Sequence, residues 1–346
     1  MAEARPSIVL KDSTLREGLD TPGVTFTTRG KVRIAEALVA AGVAEAEVVA
    51  PSRVREDLAF ARAIKRHGVP LRASGLIYAS GPRWAEELDE CAGALDRVDL
   101  LMPLSPHREP RELPEKRDRL LAALARPAPE GLEVGVGFPH ALRVEARVLV
   151  DLGRRAVAAG AKRVTVYDTN GGAEPFAIRD VLAQLTAELR VPVFFHGHDD
   201  LGLATANAWA AVLGGATGLD VTVNGLGDRA GNASLEQVAT LLEVRGFASG
   251  LRLRELPKVS RLVARLSGVA VPPLAPVLGA YVFAHRSPSH LSVPSEFEAF
   301  DPALVGARRR LIGPTRPRGE AGGHGAAAAR RGPSPPRRGG NGRGRR

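Results

Sequence analysis

The sequence predicts a (β/α)8 TIM barrel, a closed ring of eight parallel strands each followed by a helix. A short C-terminal helical extension and a disordered basic tail follow it. Three observations lead there. From residue 8 to about residue 246, short β-branched runs alternate with longer stretches of helical period. There are eight such units in about 240 residues, the count and size of this barrel. The unusual polar residues collect at the C-terminal ends of the first, seventh and eighth runs, the end of a barrel that carries chemistry. A doubly wound open sheet is the competing architecture, but it does not require eight units.

Strands are expected at Ile8–Ser13, Glu45–Val49, Leu71–Ile77, Val98–Met102, Leu132–Phe138, Arg163–Asp168, Val191–His198 and Leu219–Asn224. They are short and rich in Val, Ile and Leu, as strands covered on both faces should be. Between them, apolar residues recur at helical spacing, as in Lys31–Ala41, Arg55–His67 and Ala141–Ala159, so each stretch can lay one face on the sheet. Glycines in Ala40-Ala41-Gly42 and Ala159-Gly160-Ala161 suit helix ends that return the chain to the next strand. Residues 1–250 are therefore read as the barrel. Leu251–Ser267 reads as one more helix, followed by an irregular stretch with His285 and His290, and 251–310 is read as an extension. Residues 311–346 are dominated by Gly, Pro, Arg and Ala without periodicity, and cannot bury enough apolar surface to fold.

Aromatic residues are only 4% of the chain, so packing must rest on Val, Leu, Ile and Ala. The net charge of +10 suggests a nucleic-acid binder until it is located. Residues 308–346 hold twelve arginines and one acid, Glu320, which leaves the rest of the chain near neutrality. The tail has no aromatic residue to stack on bases, and nucleic acid is not the expected partner. Its bias beyond Gly313 is that of GC-rich coding sequence read out of frame, so a frameshift or truncation near residue 313 is expected, with a real disordered basic appendage as the alternative. One cysteine, Cys91, excludes an internal disulfide and fits a reducing compartment. The N-terminus, MAEARPSIVLKDS, has no long apolar run, so a cytoplasmic protein without a membrane span is expected.

Three clusters can carry chemistry. The first strand exits through Asp12-Ser13-Thr14-Leu15-Arg16-Glu17-Gly18, where an Asp, an Arg and a Glu crowd together. The seventh ends in His196-Gly197-His198-Asp199-Asp200. Histidines two apart on a strand project from one face, so both imidazoles can meet one metal. Asp199 and Asp200 are candidates to fix an imidazole tautomer. The eighth opens into Asn224-Gly225-Leu226-Gly227-Asp228-Arg229-Ala230-Gly231-Asn232, a glycine-rich loop whose N–H groups can hold an anion before a helix capped by Asn232 or Ser234. Strands one, seven and eight adjoin in a closed barrel, so the three clusters share one patch. A carboxylate with two imidazoles suits Mg²⁺, Mn²⁺ or Zn²⁺. His67, His107 and His140 are read as surface or loop histidines, and Cys91, Trp84 and Trp209 as packing.

These residues resemble the DRE-TIM metallolyase superfamily, in particular its homocitrate synthase and isopropylmalate synthase branch. The likeness is carried by DSTLREG with TPGVTFT, VYDTNGG, HGHDDLGLATANAWAAVLGGA, VTVNGLGDRAGNASLEQVATLL, and VLGAYVFAHRSPSH with FEAFDPALVG, spread over residues 8–306. The resemblance implies a metal-dependent Claisen condensation of acetyl-CoA or another acyl-CoA with a 2-oxo acid. It implies Glu17, His196 and His198 as metal ligands with Asn232 as a fourth, and Arg16 as the electrophilic arginine. Thr169 would grip the oxo-acid carboxylate, with Asp12, Asp20 and Arg143 also on the substrate side. Gly225, Gly227 and Gly231 would form the acyl-CoA loop. His290 would be the base, supplied in a homodimer by an extension that reaches the partner's barrel.

Four positions depart from that pattern. Leu19-Asp20 replace Glu-Gln, Pro139-His140 replace Glu-Asp, Leu76-Ile77-Tyr78-Ala79 lack an arginine, and Arg286-Ser287-Pro288-Ser289-His290 replaces Glu-x-Gly-x-His. The segment REGLDTPGVTFT leans towards a homocitrate synthase-like reaction. A metal-dependent aldolase or lyase cleaving a 2-hydroxy or 2-oxo acid is the first alternative; the cysteine that hydroxymethylglutaryl-CoA lyases carry in the eighth loop is absent from Gly225–Asn232. An idle barrel with an RNA-binding tail is the second.

Overall fold

The chain is described by a computed structural model over residues 5–104 and 112–313. His107 and the tail beyond Gly313, with its expected disorder, lie outside the described residues. Eight parallel strands close into a barrel in sequence order. The strands are β1 (Val9–Asp12), β2 (Glu45–Val49), β3 (Arg72–Tyr78), β4 (Arg97–Leu101), β5 (Glu133–Phe138), β6 (Val164–Asp168), β7 (Val193–Gly197) and β8 (Gly218–Val221). The intervening helices are α1 (Thr28–Ala41), α2 (Val54–Arg66), α3 (Trp84–Glu90), α4 (Leu113–Ala125), α5 (Ala146–Ala158), α6 (Pro175–Glu188), α7 (Ala204–Leu213) and α8 (Leu235–Val244). Asp12 pairs with Ala46 of β2 on one side and Val221 of β8 on the other, which closes the ring.

Local chemistry sets the helix ends. Thr27 caps α1 by accepting from Gly30 N, and Gly42, at φ 97°, ends it. A Cβ at Gly42 would sit 2.6 Å from the Gly250 carbonyl, so only glycine fits that turn. The helix expected over Ala141–Ala159 is divided. A 3₁₀ turn at Ala141–Arg143 comes first, Val144 and Glu145 are extended, and α5 starts at Ala146. β7 stops at Gly197 and not at His198, which makes an isolated bridge with Asn232.

Between sheet and helices the core is Val, Leu, Ile and Ala, as the composition requires. The barrel interior differs. Lys11 Nζ lies 2.6 Å from Glu47 and 3.1 Å from Asp220, and Arg163 lies 2.8 Å from Glu45 and 3.0 Å from Asp99. All six are buried. Charges taken from water this completely must be paired to persist. Here each is, and the barrel is plugged by an ionic layer beneath its mouth.

Beyond the barrel, α9 (Leu256–Ser267) packs against α1. β9 (Ala284–His285), α10 (Pro288–Ser292) and β10 (Arg310–Leu311) complete the extension. Leu311, assigned to the tail by composition, instead pairs with His285 in the β9–β10 ladder. Among the described residues no helix is long and apolar enough to cross a membrane.

Candidate active site

β1 and β7 end side by side around β8, so the Arg16-Glu17 turn and the two histidines meet at the barrel mouth. Glu17 Oε1 lies 3.6 Å from His198 Nε2, and Glu17 Oε2 lies 4.0 Å from His196 Nε2. One donor atom from each of the three falls within 4.8 Å of the others, and all three residues are buried. Asn232 Oδ1 is buried close by without a hydrogen-bond partner, while its Nδ2 sits 3.1 Å from His196 Nε2. One carboxylate, two imidazoles and an orphaned amide oxygen form a donor set that a divalent cation would satisfy.

The surroundings prepare these donors. Asp220 Oδ2 lies 3.1 Å from His196 Nδ1 and accepts a hydrogen bond from it, which leaves Nε2, on the Glu17 side, as the ring nitrogen with the free lone pair. The same oxygen meets Lys11, so the ionic layer anchors the imidazole. Burial, followed by the neighbouring His196 and Arg229, pulls the His198 imidazole down to about 3, which keeps it neutral as a ligand must be. Arg16 pairs with Glu17 and donates from Nε to Glu47 Oε1 at 2.7 Å. Burial pushes the Glu47 carboxyl up, but Arg16 and Lys11 outweigh it and hold Glu47 well below the usual carboxylate range.

The glycine loop has a steric purpose. A Cβ on Gly227 would fall 1.8 Å from Asn232 Oδ1 and 3.3 Å from Glu17 Cγ. A Cβ on Gly231, at φ 92°, would fall 2.0 Å from the Gly225 carbonyl, and Gly225 is itself at φ 69°. Glycine at these positions lets the loop close over two of the candidate ligands. Ser234, and not Asn232, caps α8.

A cavity of about 270 Å³ opens above this cluster, lined among others by Arg16, Glu17, Asp20, Tyr167, Thr169, His196 and His198. Thr169 Oγ1 accepts from His140 N at 2.8 Å. Arg143 lines a neighbouring cavity that shares Tyr167 and Thr169 with the first. Asp20 pairs with Arg53 at 3.2 Å on the rim. Asp12 is not among the lining residues. Its carboxylate accepts from Thr14 N and Thr14 Oγ1, both at 2.9 Å, and burial pushes it up to about 7. His290 does not line this cavity either: within its own chain it stacks on Phe297 at 3.8 Å and lies 3.5 Å from His285.

Asp199 and Asp200 do not orient the histidines. Asp199 accepts from Ala204 N at 2.8 Å ahead of α7, and Asp200 pairs with Arg229 at 2.9 Å. The chain turns after Gly197, so these acids point away, and Asp220 of the adjacent strand takes the role instead. Asp220, Glu47, Lys11 and Tyr167 were not anticipated. The signal for three of them was present: a charge inside a strand buried on both faces needs a partner inside the barrel.

The HMGL-like family profile matches residues 7–263, about three quarters of the chain, including all eight barrel strands. The chain belongs to the HMGL-like family. This is the family of DRE-TIM barrels, as the motifs implied. Among its HMGL-like relatives, the chain is 34% identical over 310 residues to an (R)-citramalate synthase of Methanocaldococcus jannaschii, covering 87% of this chain and 62% of that protein. It is 34% identical over 314 residues to homocitrate synthase 1 of a Nostoc species, covering 88% and 82%. The chain thus spans somewhat under two thirds of the first relative's length. In structure it is similar to the hydroxymethylglutaryl-CoA lyase of Bacillus subtilis, with a TM-score of 0.67 at 21% identity over 80% of this chain and 99% of that one. That likeness speaks for the barrel alone.

Proposed function

We propose that this protein catalyses a metal-dependent Claisen-type condensation of an acyl-CoA with a 2-oxo acid. The observation that carries the reading is the convergence of Glu17, His196, His198 and Arg16 on one buried cluster beside Thr169. The synthase relatives give it its direction. Glu17, His196 and His198 would hold a divalent ion, with Asn232 as fourth ligand. When bound, such an ion polarises a carbonyl and neutralises charge that develops on its oxygen.

The chain's own groups divide the remaining work. Arg16, clamped by Glu47 and Glu17, presents a fixed cation to the oxygen on which negative charge grows. Thr169, tethered to His140 N, can donate its hydroxyl hydrogen to a substrate carboxylate. Asp20 and Arg143 sit at the rim on the substrate side, whereas Asp12 supports the β1 turn through Thr14. The Gly225–Gly231 loop supplies backbone N–H groups towards the acyl-CoA. His290 is the base in this reading. Since it does not line the cavity of its own chain, a second copy has to supply it, and the working unit is a homodimer.

The test is a screen of 2-oxo acids with acetyl-CoA in the presence of Mg²⁺, Mn²⁺ or Zn²⁺, following free thiol. Thiol release that requires both the oxo acid and the metal supports the reading. Release of a 2-oxo acid from a hydroxy acid, without thiol, would replace it with carbon–carbon cleavage.

A further inference from the structure

We infer that the 2-oxo acid this site accepts carries a small, uncharged apolar side chain and not a second carboxylate. The inference rests on the condensation reading and deepens it. Leu76 of β3, Leu101 of β4 and Tyr167 of β6 form a buried apolar cluster separate from the main core. All three line the same cavity as Glu17, His196 and His198. The cluster exists because Gly137 of β5 has no side chain: a Cβ there would meet Leu101 Cδ2 at 2.6 Å and Tyr167 Cε2 at 2.9 Å. The missing atom lets side chains from the flanking strands lean together across β5. The cavity is therefore lined both by the candidate metal ligands and by an apolar patch of Leu76, Leu101 and the Tyr167 ring.

The charges around the cavity point the same way. Its cationic side chains are Arg16 and Arg229. Arg16 is engaged by Glu47 and Glu17. Arg229 pairs with Asp200 at 2.9 Å and Asp228 at 2.7 Å, and donates to the Thr169 carbonyl at 2.7 Å. Arg229 is thus engaged, Arg16 is assigned to the reacting oxygen and not to a distal group, and the lining also contains the acids Asp20 and Asp228. Tyr167 contributes its ring to this wall, and its hydroxyl is buried without a partner. A distal carboxylate entering against this wall would be desolvated on leucine, with Arg143 lying outside it in the neighbouring cavity, which is costly. A methyl or branched aliphatic group would gain from the same wall. The relatives' names span products of both kinds and do not decide the matter. The assignment runs against the homocitrate-like leaning of REGLDTPGVTFT.

The experiment measures binding of pyruvate, 2-oxoisovalerate and 2-oxoglutarate to the metal-loaded full chain by calorimetry, with thiol release from acetyl-CoA followed in parallel. A monocarboxylic oxo acid is expected to bind at least about 100-fold more tightly than 2-oxoglutarate. Leu76→Arg should narrow that ratio at least about tenfold by supplying the missing cation. Leu101→Ala, which keeps the interior apolar, should shift the preference towards the larger side chain and serves if the arginine variant does not fold. Equal or tighter binding of 2-oxoglutarate by the unmodified chain overturns the inference while leaving condensation standing. Selective binding of the monocarboxylic acid without thiol release leaves the pocket assignment standing and removes condensation. Binding of none of the three overturns both.

Discussion

Replacing Asp220 by Asn tests whether the ionic layer prepares the candidate metal site. The carboxylate accepts from His196 Nδ1 at 3.1 Å and meets Lys11 Nζ at 3.1 Å through the same oxygen. An asparagine keeps the shape but can offer an N–H to His196 Nδ1, which favours the tautomer with its proton on Nε2. That tautomer has no Nε2 lone pair to offer a cation held with Glu17 and His198. Loss of a partner that orients a ligating histidine typically weakens metal binding 10–100-fold, or about 1.4–2.8 kcal/mol. The fold should suffer less than a broken buried pair usually implies, about 3–5 kcal/mol, because Lys11 keeps Glu47 at 2.6 Å. Calorimetric titration with Mn²⁺ or Zn²⁺, on variant protein shown to be folded by circular dichroism and urea unfolding, reads the first effect apart from the second. A folded Asp220→Asn protein that binds metal as tightly as the parent would refute the argument.

Three further outcomes follow from the same geometry. Arg16→Lys keeps the charge but loses the planar fork held by Glu47 and Glu17, so turnover should fall by about 3–4 kcal/mol in barrier; steady-state kinetics that retain more than about a tenth of the rate, a loss of under roughly 1.4 kcal/mol, would make Arg16 structural. Gly227→Ala puts a methyl group where Asn232 Oδ1 lies 1.8 Å away, so the loop must move, and metal affinity should drop in titration while the far side of the barrel keeps its hydrogen-exchange protection. Asp12, pushed up to about 7 by burial, keeps its proton in the folded chain at pH values where an unfolded aspartate, near 3.8, has lost it. Its contribution is therefore complete below about pH 4 and is lost as pH rises to about 7, by at most about 4 kcal/mol. Urea midpoints of Asp12→Asn should accordingly gain on the parent across that window and run parallel to it above; parallel curves throughout would contradict the assignment.

How much of this was legible depended on the kind of signal. The barrel was readable because eight apolar runs alternate with amphipathic stretches, a pattern written in local periodicity. The Glu17, His196 and His198 grouping was readable because closure makes β1, β7 and β8 neighbours, so motifs about 180 residues apart had to meet. What could not be read was pairing across the interior. Glu47 and Asp220 stand out as charges within short strands, but only the register of the closed barrel places Lys11 between them. Asp199 and Asp200 looked like the histidines' supports because they follow them in sequence, yet the turn after Gly197 carries them to α7 and Arg229. Gly137 gave no sign in sequence of the room it leaves for Leu101 and Tyr167.

The central claim is that Glu17, His196 and His198 together hold one divalent ion on which activity depends. Metal content per chain, measured by plasma spectrometry after equilibration with Mn²⁺ or Zn²⁺ and desalting, tests it most directly. The account predicts one ion per parent chain and none in a folded His196→Ala/His198→Ala double variant. An unchanged ion content in that variant would contradict it.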